Sequence, residues 1–288
     1  MREPAVAGQF YPASKRKLKR DIEKSFKHSL GPGEIPILPD IGTGNVLGGV
    51  FPHAGYMFSG PIAAHSVSAF IDSGMPDVLV VIGPNHTGRG RGVALSDEDF
   101  RTPLGVVGHD EDVGQFFRES GIPVDNLAHR FEHSLEVQLP FFQYFDKSIK
   151  IVAISMGSQN QENAVKVANG IKLAIREYQG KIGIVASSDF THCGYSYGIP
   201  VPPGMTAGEY ARKEDKKAIS CILNMDGPGL IQTVRRYGIS MCGFGPVSSM
   251  VIGLEGKAKK AKMLKYASSY DIMPSGSAVG YASIILTK

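Results

Sequence analysis

The chain has 288 residues, 42% of them hydrophobic and 20% charged, with 31 Lys and Arg against 27 Asp and Glu for a formal net charge of +4. This composition suits a chain that buries a core and excludes an intrinsically disordered polymer, whose apolar content is low and net charge high. Apolar runs such as Val78 to Ile82 and Ile151 to Ile154 fall far short of the ~18–20 residues needed to cross a bilayer, so no membrane helix is expected.

The first residues, Met-Arg-Glu-Pro-Ala-Val-Ala-Gly-Gln-Phe-Tyr-Pro, carry no charged head followed by a long apolar stretch, and a cytoplasmic protein is the expectation. Cys193, Cys221 and Cys242 form no CxxC pair and are odd in number, which points to reduced thiols rather than a disulfide framework. Ser14 can cap a first helix whose Leu18, Ile22 and Phe26 recur every fourth residue and leave a basic cluster (Lys15, Arg16, Lys17, Lys19, Arg20) in water. A second basic cluster, Lys257 to Lys265, reads as a solvated turn entering a strand. Neither carries an aromatic ladder or a nucleic-acid motif, so no nucleic-acid partner is expected.

Short Val- and Ile-rich runs at Val46 to Phe51, Asp77 to Ile82, Ile149 to Ser155 and Lys181 to Ala186 predict buried strands. Helical patterns lie at Pro61 to Phe70, Asp112 to Ser120, Ser134 to Phe145 and Glu162 to Tyr178. The alternation predicts an α/β fold with a largely parallel central sheet flanked by helices. Ala207 to Asn224 and Pro228 to Tyr237 read as helices, and Ala261 to Tyr270 and Ser277 to Leu286 as late, antiparallel strands. No linker or internal repeat divides the chain, so residues 1–288 are expected to form one domain.

Three predicted strands run into polar clusters: Pro52-His53-Ala54-Gly55, Pro84-Asn85-His86-Thr87-Gly88 and Ser187-Ser188-Asp189-Phe190-Thr191-His192. In parallel α/β sheets ligands bind beyond the carboxyl ends of the strands, which would gather His53, His86, Asp189 and His192 at one rim. Cys242, in the glycine-rich Met241-Cys242-Gly243-Phe244-Gly245, precedes a helical run and can act as a thiolate there. Two imidazoles and one anionic side chain suit a divalent transition metal with open positions, and His53, His86 and Cys242 supply that set. A thiolate makes the site softer than an iron triad with a carboxylate, so zinc and copper compete with iron(II). His192 with Asp189 reads as acid/base machinery, or either as a ligand. His133 and Glu136 would share a helical face, as ligands or as supporting hydrogen-bonding groups. Cys193 and Cys221 read as packed small side chains.

Competing motifs fail in detail. Gly83 to Gly90 has P-loop spacing, but Arg89 and Gly90 stand where Lys and Ser or Thr are required. There is no GxSxG, no HExxH and no complete dinucleotide fingerprint.

The segments REPAVAGQFYP, FPHAGYMFSG, VVIGPNHTG, EHSLEVQLPF, SSDFTHCG, MCGFGP and SAVGYAS closely resemble the Memo family (mediator of cell motility), in order and from end to end. That family is similar in fold to the class III extradiol, LigB-type dioxygenases, which implies a metal cleft in an α/β core. The resemblance places the family's metal residues on His53, His86 and Cys242, with Asp189 and His192 beside them as catalytic residues. Cys242 stands where the dioxygenases carry a carboxylate, so the resemblance implies a metal site more directly than ring cleavage. It implies a divalent metal, iron(II) first and copper or zinc as alternatives, with redox or dioxygenase-like chemistry on a small molecule. The alternative reading is a non-catalytic module whose cleft receives a peptide or protein; a hydrolytic zinc site is a third. Microbial relatives of the AmmeMemoRadiSam grouping imply radical-SAM and AMMECR-type proteins as partners.

Overall fold

Nineteen helices and strands share one sheet and its two helical coverings in this computed structural model, which describes residues 1–288. The first half contributes α1 (Lys15–Lys27), β1 (Val46–Phe51), α2 (Tyr56–Ser73), β2 (Val78–Pro84), β3 (Val93–Ser96), β4 (Phe100–Thr102), β5 (Gly105–His109), α3 (Glu111–Glu119) and α4 (Leu139–Phe145). The second contributes β6 (Lys150–Met156), α5 (Gln161–Glu177), β7 (Ile182–Ser187), β8 (His192–Gly194), α6 (Ala207–Leu223), α7 (Gly227–Tyr237) and α8 (Phe244–Gly253). It ends with β9 (Lys260–Ser268), α9 (Ser269–Ile272) and β10 (Ser277–Thr287). No helix is long and apolar enough to cross a membrane.

The sheet has the order β4-β5-β6-β2-β7-β1-β10-β8, with β3 paired to β6 and β9 to β10. Its centre, β5-β6-β2-β7-β1, is parallel throughout, as the alternating pattern of strands and helices predicts. Both margins are antiparallel, including the late strands β9 and β10. Successive side chains on a strand point to opposite faces, and two cores result. Val78, Val80 and Ile82 of β2 enter one core with Val152 and Ile154 of β6, whereas Leu79 and Val81 enter the other with Ile151 and Ala153. Helices α3, α5, α7 and α8 close the first face; α1, α2 and α4 close the second.

Local chemistry explains most helix ends. Asp110, Asn160 and Asp226 accept from the backbone N–H three residues on at the starts of α3, α5 and α7, and Thr206 with Glu209 forms a capping box on α6. Ser14 occupies the cap position of α1, but its hydroxyl makes no capping bond; the buried face of Leu18, Ile22 and Phe26 anchors that helix. Two expected boundaries move. Helix α2 begins at Tyr56 and carries Pro61 inside it, anchored by the Tyr56 hydroxyl donating to the Val137 carbonyl at 2.7 Å. The helix expected from Ser134 starts at Leu139, with Pro140 in its first turn, and residues 136–138 form a tighter 3-10 turn. The short strands β3, β4, β5 and β8 were not foreseen, since three to five residues carry too little periodicity to read.

Candidate metal centre

In the sheet β7 lies between β2 and β1, so the three polar clusters that follow these strands are spatial neighbours. His53 follows β1, His86 follows β2, and Asp189 follows β7. Between α3 and α4 the irregular stretch 129–135 brings His133 to the same rim. Gly83 makes this approach possible: a Cβ there would lie 2.5 Å from Ser134 Oγ, which instead donates to the Pro84 carbonyl at 2.8 Å. One ligand atom each from His53, His86 and His133 lies within 4.8 Å of the others, a group that could hold a metal ion. The His86 and His133 rings stack at 4.6 Å, and His53 stands edge-on to both.

Hydrogen-bond bookkeeping fixes the protons on two of these rings. The Ser187 hydroxyl donates to the Ser134 carbonyl at 2.6 Å and accepts from the Gln138 amide at 3.0 Å. Its remaining contact, His53 Nδ1 at 2.8 Å, must therefore be a donor, which leaves His53 Nε2 with a free lone pair. His86 Nδ1 lies 2.9 Å from Glu132 Oε1, a carboxylate that only accepts, so His86 also presents a bare Nε2. Glu132 further receives the backbone N–H groups of His86, His133 and Ser134. Burial pushes the Glu132 carboxyl upward, but the His86 hydrogen bond, the imidazoles and the Ser134 amide outweigh it and bring its pKa to about 2. Burial lowers His53 well below the usual imidazole value and takes His133 to about 4, with neighbouring imidazoles adding to the effect. The His53 and His133 rings are thus neutral at pH 7, the form that binds metals.

Cys242 sits against this group. Its Sγ lies 3.1 Å from His53 Nε2 and receives the Asp189 N–H at 3.2 Å. Burial, then the Asp189 carboxylate, raises the thiol well above its ordinary pKa, so without a metal it is a neutral S–H able to donate to Nε2. The Cys242 and β7 loops are laced together by Cys242 N–H to the Asp189 carbonyl and Gly243 N–H to Ser188 Oγ. Asp189 accepts the His53 N–H at 2.8 Å, and burial raises its pKa against the pull of His192 and that bond.

His192 is oriented differently from the sequence expectation. Its Nδ1 lies 2.8 Å from the Phe190 carbonyl and 3.1 Å from the Ser240 carbonyl, both acceptors, so Nδ1 carries the proton and Nε2 is the basic atom. Asp189 is beside it but makes no hydrogen bond to the ring. His53, His86, His133, Asp189 and His192 all line one cavity of about 440 Å³. Its outer wall holds Phe10, Phe58, Tyr197 and Tyr281 together with the hydroxyls of Ser196, Ser269, Ser275 and Ser277, and no Lys or Arg. A larger depression of about 670 Å³ lies between residues 1–5 and 126–131 and touches none of these groups.

Of the residues singled out from the sequence, His53, His86, Asp189 and His192 line one cavity; the group whose ligand atoms come together is His53, His86 and His133 rather than His53, His86 and Cys242, and Cys242 meets it through His53. Cys193 packs away from it among Ala207, Ala211 and Ala278, and Cys221 lies in α6 with its thiol on the Lys217 carbonyl. His133 and Glu136 part company: the former joins the histidine group, while the latter binds Arg2, Tyr11 and the N–H groups of Ala5 and Val6. Glu132, Ser187 and Gln138 were not singled out. The signal for Glu132 is its place beside His133 in the sequence; Ser187 and Gln138 are joined to the site only through contacts remote in sequence.

The sequence profile of the family described as Memo-like protein matches residues 2–285. A MEMO1 family protein of Methanopyrus kandleri is 41% identical over 100% of this chain and 99% of its own. Others from Methanococcoides burtonii and Sulfurisphaera tokodaii are each 40% identical over 99% of this chain and 100% and 98% of theirs. Among solved structures, an uncharacterized protein of Escherichia coli K12, JW3007, shares the fold with a TM-score of 0.56 at 14% identity, covering 83% of this chain and 99% of that one. With its whole length aligned and its histidine group at the strand ends, this chain belongs to the Memo family.

Proposed function

We propose that the cleft is a non-haem metal site serving oxidoreductase chemistry on a small molecule, with iron(II) the native ion and copper or zinc able to replace it. The supporting observation is the pair of bare Nε2 atoms on His53 and His86, each fixed by a partner on Nδ1. Metal-binding histidines are commonly held this way, because the outer hydrogen bond sets tautomer and ring direction. Cys242 is the anionic ligand in this reading. Donors sharing one ion at about 2.0–2.1 Å for N and 2.3 Å for S stand about 3.1–3.5 Å apart, and the His53 to Cys242 separation is 3.1 Å. On holding an ion, Cys242 would give up its thiol proton and serve as the thiolate. His133 would supply a third imidazole.

When bound, the metal supplies redox and Lewis-acid chemistry at its open positions. The chain's own groups do the rest. His192 Nε2, its proton held on the opposite nitrogen, takes a proton from a substrate hydroxyl and returns it. Asp189 fixes the His53 backbone and places a carboxyl at the cavity wall. The aromatic side chains pack against a flat substrate and exclude water, and the serines bind its polar edge.

Anaerobic purification, loading with Fe(II), Cu(II) or Zn(II), and metal analysis test the reading, followed by oxygen uptake over a panel of catechols and other small phenols. One ion per chain is expected, lost in His53→Ala and His86→Ala, with uptake abolished and metal retained in His192→Ala. No stoichiometric metal and no uptake would overturn it.

A second reading, a peptide- or protein-binding cleft, is favoured by the exposed apolar rim, where Tyr197 is 45% and Met273 53% accessible. Capture of radical-SAM or AMMECR-type proteins that is lost in Tyr197→Ala would support it; capture unaltered by changes in the cleft would count against it.

A further inference from the structure

Arg2 is the one Lys or Arg side chain in the molecule that is buried, at 3% accessibility. Enclosing a guanidinium is costly unless its donors all find acceptors. Here Nε donates to the His129 carbonyl at 3.1 Å, one terminal nitrogen to the Glu132 carbonyl, and the other to the Glu136 carboxylate. All three acceptors belong to residues 129–136, a stretch with little regular backbone pairing, so its carbonyls need outside donors. One planar fork supplies them.

The same stretch carries two parts of the metal centre. The Glu132 carboxylate orients His86 through Nδ1, and His133 is the third imidazole. Arg2 is itself fixed elsewhere: its N–H donates to the Asp99 carbonyl at 2.8 Å, its own carbonyl accepts from Arg101 N–H at 2.9 Å, and its guanidinium lies over the Phe100 ring. The margin of the sheet at β4 is thus connected through one side chain to the loop that aims two histidines. Glu136 completes the connection by accepting from Ala5, Val6 and Tyr11.

We propose that Arg2 is a positioning residue of the metal centre, holding the Glu132 carboxylate and the His133 ring at the distances that let His86 and His133 serve one ion. The inference rests on the metal reading and deepens it. A merely structural bolt would lower stability and leave the metal environment alone. A positioning residue changes the geometry around the ion in a protein that stays folded.

The test compares the whole protein with Arg2→Lys and with the double variant Arg2→Met/Glu136→Gln. Lysine keeps the charge and loses the fork; the double variant removes both charges and leaves no unpaired ion to prevent folding. Each is loaded with Cu(II) alone, and affinity is read by competition with a chelator and ligand geometry by electron paramagnetic resonance. The expected result is a dissociation constant raised about 10–100-fold, the usual effect of removing an outer partner of a metal ligand, with an altered nitrogen hyperfine pattern in both variants. Folded variants with wild-type affinity and spectrum would overturn the proposal. Wild-type protein that takes up no Cu(II), Fe(II) or Zn(II) defeats the metal reading instead. Histidine-ring nuclear magnetic resonance of the metal-free protein then decides the positioning: His86 and His133 must shift in Arg2→Lys while His65 stays, and unshifted rings sink it.

Discussion

Ser187 has one hydroxyl and three neighbours, and the direction of its single proton decides which nitrogen of His53 is free. Because that proton goes to the Ser134 carbonyl, Gln138 and His53 both donate to the oxygen. Ser187→Ala would strand the His53 Nδ1 proton and one of the two Gln138 amide protons, the other staying on the Pro52 carbonyl. Unmet buried hydrogen-bonding groups cost about 1–3 kcal/mol, so denaturant unfolding of the metal-free variant should show a loss in that range. Metal affinity should fall about 10–100-fold as the ring loses its fixed tautomer. A variant with unchanged affinity would mean that the His53 ring is held by something other than this hydroxyl. The contrast between His133 and Glu136 belongs to the same scale. Spacing alone put them on one helical face, but a 3-10 turn with a looser segment before it sends one to the cleft and the other to Arg2.

Strand β10 shows how an element depends on a side chain it does not carry. It is buried along almost its whole length, since β1, β8 and β9 all pair with it and helices cover its faces. At Gly280 a Cβ would lie 1.9 Å from Asp215 Oδ2 of α6, closer than any real contact allows. Gly280→Ala must therefore displace the carboxylate, and with it the bonds that Asp215 accepts from Thr191 N–H and the Tyr266 hydroxyl. Overpacking of this kind costs about 1–3 kcal/mol, visible as a lower melting temperature. An alanine variant as stable as the parent would show that α6 can withdraw freely from the strand. The sequence SAVGYAS reads as a strand with a glycine in it; the reason for the glycine lies about sixty-five positions earlier in the chain.

At the scale of the molecule, Asp215 joins the helical covering to the sheet margin and makes stability respond to pH. Burial raises its carboxyl to about 6, against the opposing hydrogen bonds from Thr191 and Tyr266 and the attraction of His192. A folded-state pKa above the unfolded value favours the fold while the group is protonated. Its contribution is full below about pH 4 and is lost as pH rises through about 6. The difference is on the order of 3 kcal/mol for a shift of this size. Asp215→Asn, which cannot ionise, should therefore gain stability relative to the parent between pH 4 and about pH 7.5, as measured by thermal melts at both ends. A difference between the two proteins that does not vary with pH would contradict the assignment.

The sequence by itself determined the α/β class, the parallel centre, the antiparallel late strands and the strand-end clusters that hold His53, His86, Asp189 and His192. Each of these rests on local periodicity or on residues that follow a strand directly, and such signals survive without knowledge of the fold. Tertiary structure alone decided that β7 runs between β1 and β2, that His133 turns inward, that the Cys242 thiol meets His53, and that His192 is oriented by carbonyls rather than by Asp189. Those outcomes depend on which distant backbone groups need partners once water is excluded, and no local pattern encodes that requirement.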